Sequence, residues 1–589
     1  MSVDVTGSSD TDSSSGGGGK TNVELAREIG LIGLLWASMG SIIGSGWLFG
    51  AQKGLFNAGP AVLISWVIGG ACILVLALVH AELGAMFPLS GGSARFPHYA
   101  FGGIAGAGFG WFSWLQAVTV APIEVSAAIL YATHYSWAQS WLKPDETLTH
   151  TGLVVAVVLM AVLAAVNYLG VKALANTNTV LTWWKVGVPM ATILVVALFA
   201  SGGMHGSNFH AADGFNPYGV KGILLAIPLS GIVFAYLGFE QADQLAGESK
   251  NPKRDIPIAV IGSIILGLII YILLQLVFLL ALPSSSIGAK WCDGNPNDVA
   301  GCLPAQLASG AANPAVHNLY STFSGPWAQV AALVSLGWLA TVLYIDAVIS
   351  PLGTGLIYTA AGARVSYGLA RNDYFHSVFG KLTGSKVPWV GVLVSFLAGC
   401  VCFLPFPSWQ SLVGLITSAS VLMYAGAPLA FGAFRKRLPD QDRPYRLPLG
   451  EVFSPIAFVV STWIIMWSGW ETNWKLGILV LIGCLLIFNR EMRPDVLNLN
   501  AAAWLPVYLI GVGAITFFST FSGRTGQAHT LGGNGSGLGP VIWAQVVSAV
   551  FALAIYYWAI SVSLPTKTIQ FMIDEVVVPE EAELAGPAH

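Results

Sequence analysis

Residues 40–50 read GSIIGSGWLFG, and they interrupt an otherwise apolar segment over 31–56. Gly40, Gly44, Gly46 and Gly50 stand where leucines would make a stronger membrane helix. Glycine loses the most backbone entropy on ordering, yet it reaches dihedrals closed to other residues. Two readings are open. Gly40 and Gly44 have the spacing of a small-residue packing face. Alternatively the helix breaks here, which hydrocarbon tolerates only where the freed backbone is buried in protein or lines a wet cavity. In that case the N–H groups of Gly44, Ser45 and Gly46 point at the cavity from the positive end of the next half-helix. That is a ready seat for a carboxylate.

The rest of the chain supports a membrane setting. Of 589 residues, 55% are hydrophobic and 9% charged, with a mean hydropathy of +0.70. A soluble domain carries roughly 25% charged residues. No basic stripe suggests nucleic acid, and the net charge of −3 decides nothing, because placement matters more than sum. No P-loop, dinucleotide fingerprint or metal-ligand spacing is present, so no cofactor and no metal are expected. No cluster of His, Cys or carboxylates has catalytic spacing at a span end, so an enzyme is not expected. A channel would call for charges or carbonyls repeated by oligomer symmetry, and a receptor for a sizeable soluble domain; neither pattern occurs. Nothing in the sequence sets an oligomeric state.

A bilayer core of about 30 Å takes roughly 20 apolar residues as helix. That window gives fourteen candidate spans: 31–55, 61–87, 105–139, 152–170, 176–201, 222–245, 257–282, 327–360, 388–405, 410–433, 452–470, 474–489, 502–521 and 539–563. With the N-terminus cytoplasmic, 19 of the 26 Lys and Arg fall on the inner side and 6 on the outer, with Lys185 inside a span. The positive-inside rule predicts this bias, so both termini are expected in the cytoplasm. The Ser/Gly/Asp-rich residues 1–24 read as a disordered cytoplasmic tail. Residues 566–589 read as a second cytoplasmic tail, acidic and loose from Asp574 onward. Cys72, Cys400, Cys402 and Cys484 fall in apolar spans as small hydrophobes. Cys292 and Cys302 share an outer loop, where a disulfide is as open as its absence.

The sixth span contains PLSGIVFAYLGFE, 228–240, with Pro228, Gly231 and Gly238 interrupting the apolar run. Two interrupted spans five apart point to an inverted five-plus-five repeat with its site at the midplane. The freed carbonyls of Phe234, Ala235 and Leu237 can accept from an ammonium, as the first break can donate to a carboxylate. The pairing suits an amino acid.

The motifs GSIIGSGWLFG, ELGAMFPLSGG at 82–92, AYLGFEQADQLAGESKNPKRDIP at 235–257, SPLGT at 350–354 and ARVSYGLARNDYF at 363–375 resemble the amino acid–polyamine–organocation transporters. GSGWLFG, APIEVSAA at 121–128 and NYLGVK at 167–172 are similar, within that family, to the bacterial aspartate–proton symporter branch. The resemblance implies an all-α polytopic fold shared with the sodium-coupled neurotransmitter transporters. It places a twelve-span core over 25–490, with two additional helices over 491–565. It implies alternating access, with Gly44, Ser45 and Gly46 at the substrate carboxylate and Phe234, Ala235 and Leu237 at its amine. The implied activity is transport of an amino acid across the cytoplasmic membrane, with protons as the coupling ion. An acidic substrate such as aspartate or glutamate comes first, and neutral amino acids or exchange are the alternatives.

Ionisable residues at membrane depth are functional candidates by default. Lys185, in NTVLTWWKVGVPM, lies near mid-depth of the fifth span, where it can exchange a proton. The resemblance agrees, since proton-coupled members carry a lysine there. The bland alternative is a side chain that snorkels to an interface. Glu124 in the third span relays a proton or is simply hydrogen-bonded between helices. Glu240, in the GFE motif after the sixth-span break, is a candidate for gating or coupling. Tyr236 and Trp47 shape the side-chain pocket or serve as packing. His80 and Glu82 read as a structural ion-pair site at the inner end of the second span, and Asp346 in the eighth is divided between lining the path and packing.

Overall fold

In the computed structural model the described residues are 29–574, apart from 89–91, 144–145, 170, 212–213, 284–286, 288–324, 372–373, 386, 407, 488–497 and 524–537. Cys292, Cys302, the tail over 1–24 and the chain beyond 574 lie outside them. Among the described residues regular structure is entirely helical, with only two isolated β-bridges. Each of the fourteen apolar segments contains helix, and among the described residues ten helices are long and apolar enough to cross a membrane.

The helices that build the centre are α1 (Leu31–Ile42), α2 (Gly46–Ala58), α3 (Val62–Met86), α4 (Gly103–Ala132), α5 (Val171–Phe199), α6 (Gly219–Leu229), α7 (Ile232–Tyr236), α8 (Gln241–Gln244), α9 (Pro252–Ala281), α10 (Gly337–Arg371) and α11 (Trp409–Tyr424). The apolar window of α4 is 94% buried and that of the helix His150–Leu169 only 28%, which puts α4 at the centre and the latter at the lipid-facing rim. Leu538–Val562, also 28% buried, is likewise peripheral. It is pinned to Gly450–Trp467 by the Tyr556 hydroxyl, 2.9 Å from Ser454 Oγ.

Two boundaries differ from the expectation. The third span stops at Ala132 instead of 139, and a 3-10 turn over Ser136–Trp141 follows. The eighth divides into Pro326–Leu333 and α10, which runs on to Arg371. Ser335 at φ 64 ends the first piece, and the Leu336 N–H reaches back to Ala331 O at 2.8 Å, a helix-stop motif. Beyond the last span the chain is helical over 566–574.

The first and sixth segments are broken. α1 ends at Ile43, whose extended backbone (φ −90, ψ 91) turns the chain before α2 begins at Gly46. The sixth breaks first at Ser230–Gly231 and again over 237–240. The two breaks lie against each other. A Cβ on Gly46 would stand 3.0 Å from the Ala235 backbone, and one on Gly238 would stand 2.6 Å from Ser41 Cβ. Gly238 also holds φ +120, a conformation that L side chains rarely adopt. At the end of the bundle where α1 begins, Ile29 pairs with the strand-like link after α8 (Ile29 N–H to Glu248 O 3.0 Å, Lys250 N–H to Ile29 O 2.8 Å). The two broken segments are therefore tied at one end and interlocked at mid-length.

This interlock predicts that Gly238→Ala lowers the apparent melting temperature in detergent, by the equivalent of about 1–3 kcal/mol. Gly187→Ala, inside a helix on an exposed face with nothing within 4 Å of the added carbon, does not lower it and raises it slightly. Scanning fluorimetry of the two variants beside the parent checks the contrast.

Candidate functional site

The break after α1 exposes backbone groups that the interior must satisfy, and five other segments supply the partners. Lys185 of α5 donates to Gly40 O, and its Nζ also lies 2.5 Å from Thr354 Oγ1. Tyr271 of α9 donates to Ile42 O at 2.9 Å, and Thr354 of α10 to Ile43 O at 3.5 Å. The Ser45 N–H donates to Glu124 Oε2 at 2.9 Å, from the positive end of α2. Trp409 of α11 donates to Ser45 Oγ at 3.0 Å. The small-residue reading also has its place, because a Cβ on Gly40 would meet Thr182 Oγ1 at 2.8 Å.

The sixth-segment break has its own carboxylate. Glu240 accepts from Gly238 N–H (2.9 Å), Gln116 Nε2 (2.8 Å), the Tyr424 hydroxyl (2.5 Å) and the Tyr358 hydroxyl (3.4 Å). All four donors are neutral. Upstream, the Phe234 carbonyl accepts the Leu237 N–H at 3.1 Å, while the carbonyls of Ala235, Tyr236 and Leu237 have no hydrogen-bond partner among the described residues.

Between the breaks lies a cavity lined by Ser41, Ile42, Gly44, Val120, Glu124, Phe234, Leu237, Thr354 and Tyr358. Its space for a water centre is about 10 Å³, room for about one water molecule. An amino acid requires the walls to part. Beyond the cavity on the α2 side, Phe49, Trp409 and Phe234 pack together with ring centroids 4.9 and 6.2 Å apart. Further out, Lys53 pairs with Glu146 at 2.8 Å. On the opposite side, Phe239 and His80 pack around Tyr424. Glu82 there pairs with Arg435 (2.7 Å) and Arg443 (3.3 Å) and accepts the Leu447 N–H, so its ion pair is not with His80.

Most residues singled out in the sequence converge on this place. Gly44, Ser45, Gly46, Phe234, Ala235, Leu237, Lys185, Glu124 and Glu240 gather at the two breaks, and Lys185 does not snorkel: its side chain is buried, with 1% exposure. The Ser45 N–H is not free, because Glu124 holds it. Tyr236 turns away from the cavity. Its hydroxyl donates to Trp66 O at 3.3 Å, and its ring packs against Trp66 and Tyr271. Trp47 packs on Trp327 at 6.2 Å. Sequence reasoning missed Ser41, Gln116, Tyr271, Thr354, Tyr358 and Trp409. Thr354 closes the SPLGT motif, and Gln116 is a polar side chain within an apolar run, so both carried a signal.

Facing helix breaks of this kind are a feature of carriers that bind small solutes at mid-depth. The amino acid permease family model matches residues 29–488. The chain belongs to that family, within the amino acid–polyamine–organocation superfamily, and is a multi-pass membrane protein. It is 33% identical to the glutamate/serine transporter AimA of Bacillus subtilis over 93% of this chain and 96% of the relative. It is 32% identical to the aspartate-proton symporter of the same organism, over 92% and 98%. The branched-chain amino acid permease BcaP, also from that organism, is 24% identical over 80% and 95%.

Removing the hydroxyl in Tyr271→Phe leaves the Ile42 carbonyl buried without its donor. The expected loss is about 1–3 kcal/mol, read as a lower melting temperature. An unchanged melting curve would mean that the broken turn does not depend on this bond.

Proposed function

We propose that the protein is a proton-coupled amino acid importer of the cytoplasmic membrane, with acidic amino acids, aspartate or glutamate, as its first substrates. One observation carries this reading. The N-terminus of α2, held by a carboxylate, faces unpaired carbonyls of the sixth segment across one buried cavity. A zwitterion placed there finds donors for its carboxylate at Gly44, Ser45 and Gly46, and acceptors for its amine at Phe234, Ala235 and Leu237. The proposal includes fourteen spans with both termini cytoplasmic. It also includes an inverted five-plus-five repeat within a core over 25–490, and two extra helices over 491–565 that take no part in transport.

In this reading Glu124 occupies the position that the substrate carboxylate takes. Binding displaces Glu124 from the Ser45 N–H, and the freed carboxylate then either takes a proton or turns to Lys185. Lys185 lies in the electrostatic field of Glu124 and holds the end of α1 through Gly40. Substrate and proton thus bias the same two-state element, the tilt of the half-helices, which is what coupling requires. Glu240 secures the second break from the other side and acts in gating.

The names of the two relatives at 32–33% identity support an acidic substrate. A neutral amino acid is the second reading, favoured by one observation. Lys185 is tied to Gly40 and Thr354 and does not line the cavity, which leaves no cation among the described lining residues for a second carboxylate.

In proteoliposomes with an inward acid gradient, the wild type is expected to accumulate glutamate or aspartate above equilibrium, and Lys185→Ala to lose that accumulation. Gradient-dependent accumulation by Lys185→Ala at the wild-type level would remove Lys185 from the mechanism. Wild-type uptake indifferent to the gradient would assign exchange or uniport instead.

A further inference from the structure

Asp346 on α10 is wholly buried, yet nothing above gives it a task. It lies on one helical stripe with Ser350, Thr354 and Tyr358, spaced by four residues. Thr354 touches Lys185, and Tyr358 reaches Glu240, so the stripe passes both breaks. At its outer end, Asp346 Oδ1 accepts from Trp184 Nε1 at 2.8 Å and from Ser350 Oγ at 2.5 Å. Oδ2 has no hydrogen-bond partner among the described residues. The Trp47 indole N–H, equally without one, acts on the same carboxylate.

The neighbours matter for two reasons. Trp184 immediately precedes Lys185, so adjacent residues of α5 bring Asp346 an indole donor and a nearby ammonium. Trp47 immediately follows Gly46, so any tilt of α2 changes what the open oxygen of Asp346 meets. The ionisable groups acting on Asp346 are Lys185 from α5 and Tyr131 from α4. Glu124 lies beyond, acting on the same lysine.

Charge balance supplies the rest. Lys185 is one buried cation facing two buried carboxylates, Glu124 and Asp346. An uncompensated charge in such a place is expensive, and the trio is neutral when it holds one further proton. A zwitterion entering the cavity leaves that balance intact. A substrate with a second carboxylate adds one negative charge, and a second protonatable carboxylate beside Lys185 lets the protein match it.

We propose that Asp346 is a second proton carrier of this transporter, placed on the α2 side of Lys185, where it receives the proton that accompanies an acidic substrate. The proposal rests on the proton-coupled reading above.

The test compares proton and glutamate flux in proteoliposomes of wild type, Asp346→Asn and Asp346→Glu. The expected result is that Asp346→Asn moves about one proton fewer per glutamate, with a displaced pH midpoint, and that Asp346→Glu restores both. An unchanged proton ratio and pH profile in Asp346→Asn overturns the proposal and leaves proton coupling standing. Equal loss of all transport in the Asn and Glu variants also overturns it and assigns Asp346 to packing. A wild type that moves no protons defeats the coupling reading itself. Where Asp346→Asn does not fold, Trp184→Phe removes a donor and keeps the carboxylate. It should displace the pH midpoint by about half a unit or more, and an unmoved midpoint overturns the proposal.

Discussion

The hydrogen bond from the Ser45 N–H to Glu124 is the contact on which the rest of this structure turns. A membrane helix that stops at mid-depth leaves peptide groups that lipid cannot satisfy. The protein brings a carboxylate to the positive end of the half-helix that follows, and four other segments supply the remaining partners. The break is therefore a junction: through it α1 and α2 touch the third, fifth, seventh, eighth and tenth spans. A weak point in the helix becomes the place where most of the bundle is joined.

The second break follows the same rule with different chemistry. Glu240 receives only neutral donors, whereas Glu124 lies in the field of Lys185. One carboxylate is held by a full set of hydrogen bonds. The other has Oε1 without a partner among the described residues and an ammonium close by. The close approach of Gly46 to Ala235 and of Gly238 to Ser41 makes the two breaks mechanically one unit. Ion pairs then fasten the two ends of the bundle, Lys53–Glu146 at one and Glu82–Arg435 at the other.

Much of this was legible in the sequence, for physical reasons. Glycine and proline inside apolar runs mark breaks. A lysine or glutamate amid twenty apolar residues marks a buried polar junction. That logic found both breaks, and it found Lys185, Glu124 and Glu240. It could not find the partner of the Ser45 N–H, because residues 45 and 124 meet only through tertiary packing. It left Tyr236 between pocket and packing, and the short helix α7 turns that ring toward Trp66 and Tyr271. Tyr271 and Trp409 gave no signal, since an aromatic in a span is ordinarily packing, and their roles come from one hydroxyl and one indole N–H. The eighth span was read as continuous because Ser335, where it divides, carries no helix-breaking chemistry beyond the glycine two residues on.

The central claim is that substrate and Glu124 compete for one backbone donor. A cryo-EM structure with glutamate or serine bound tests it most directly. The account predicts the ligand carboxylate within hydrogen-bonding distance of the N–H groups at the start of α2, with Glu124 displaced from Ser45. A bound ligand with Glu124 still on the Ser45 N–H, or a ligand seated away from both breaks, would contradict it.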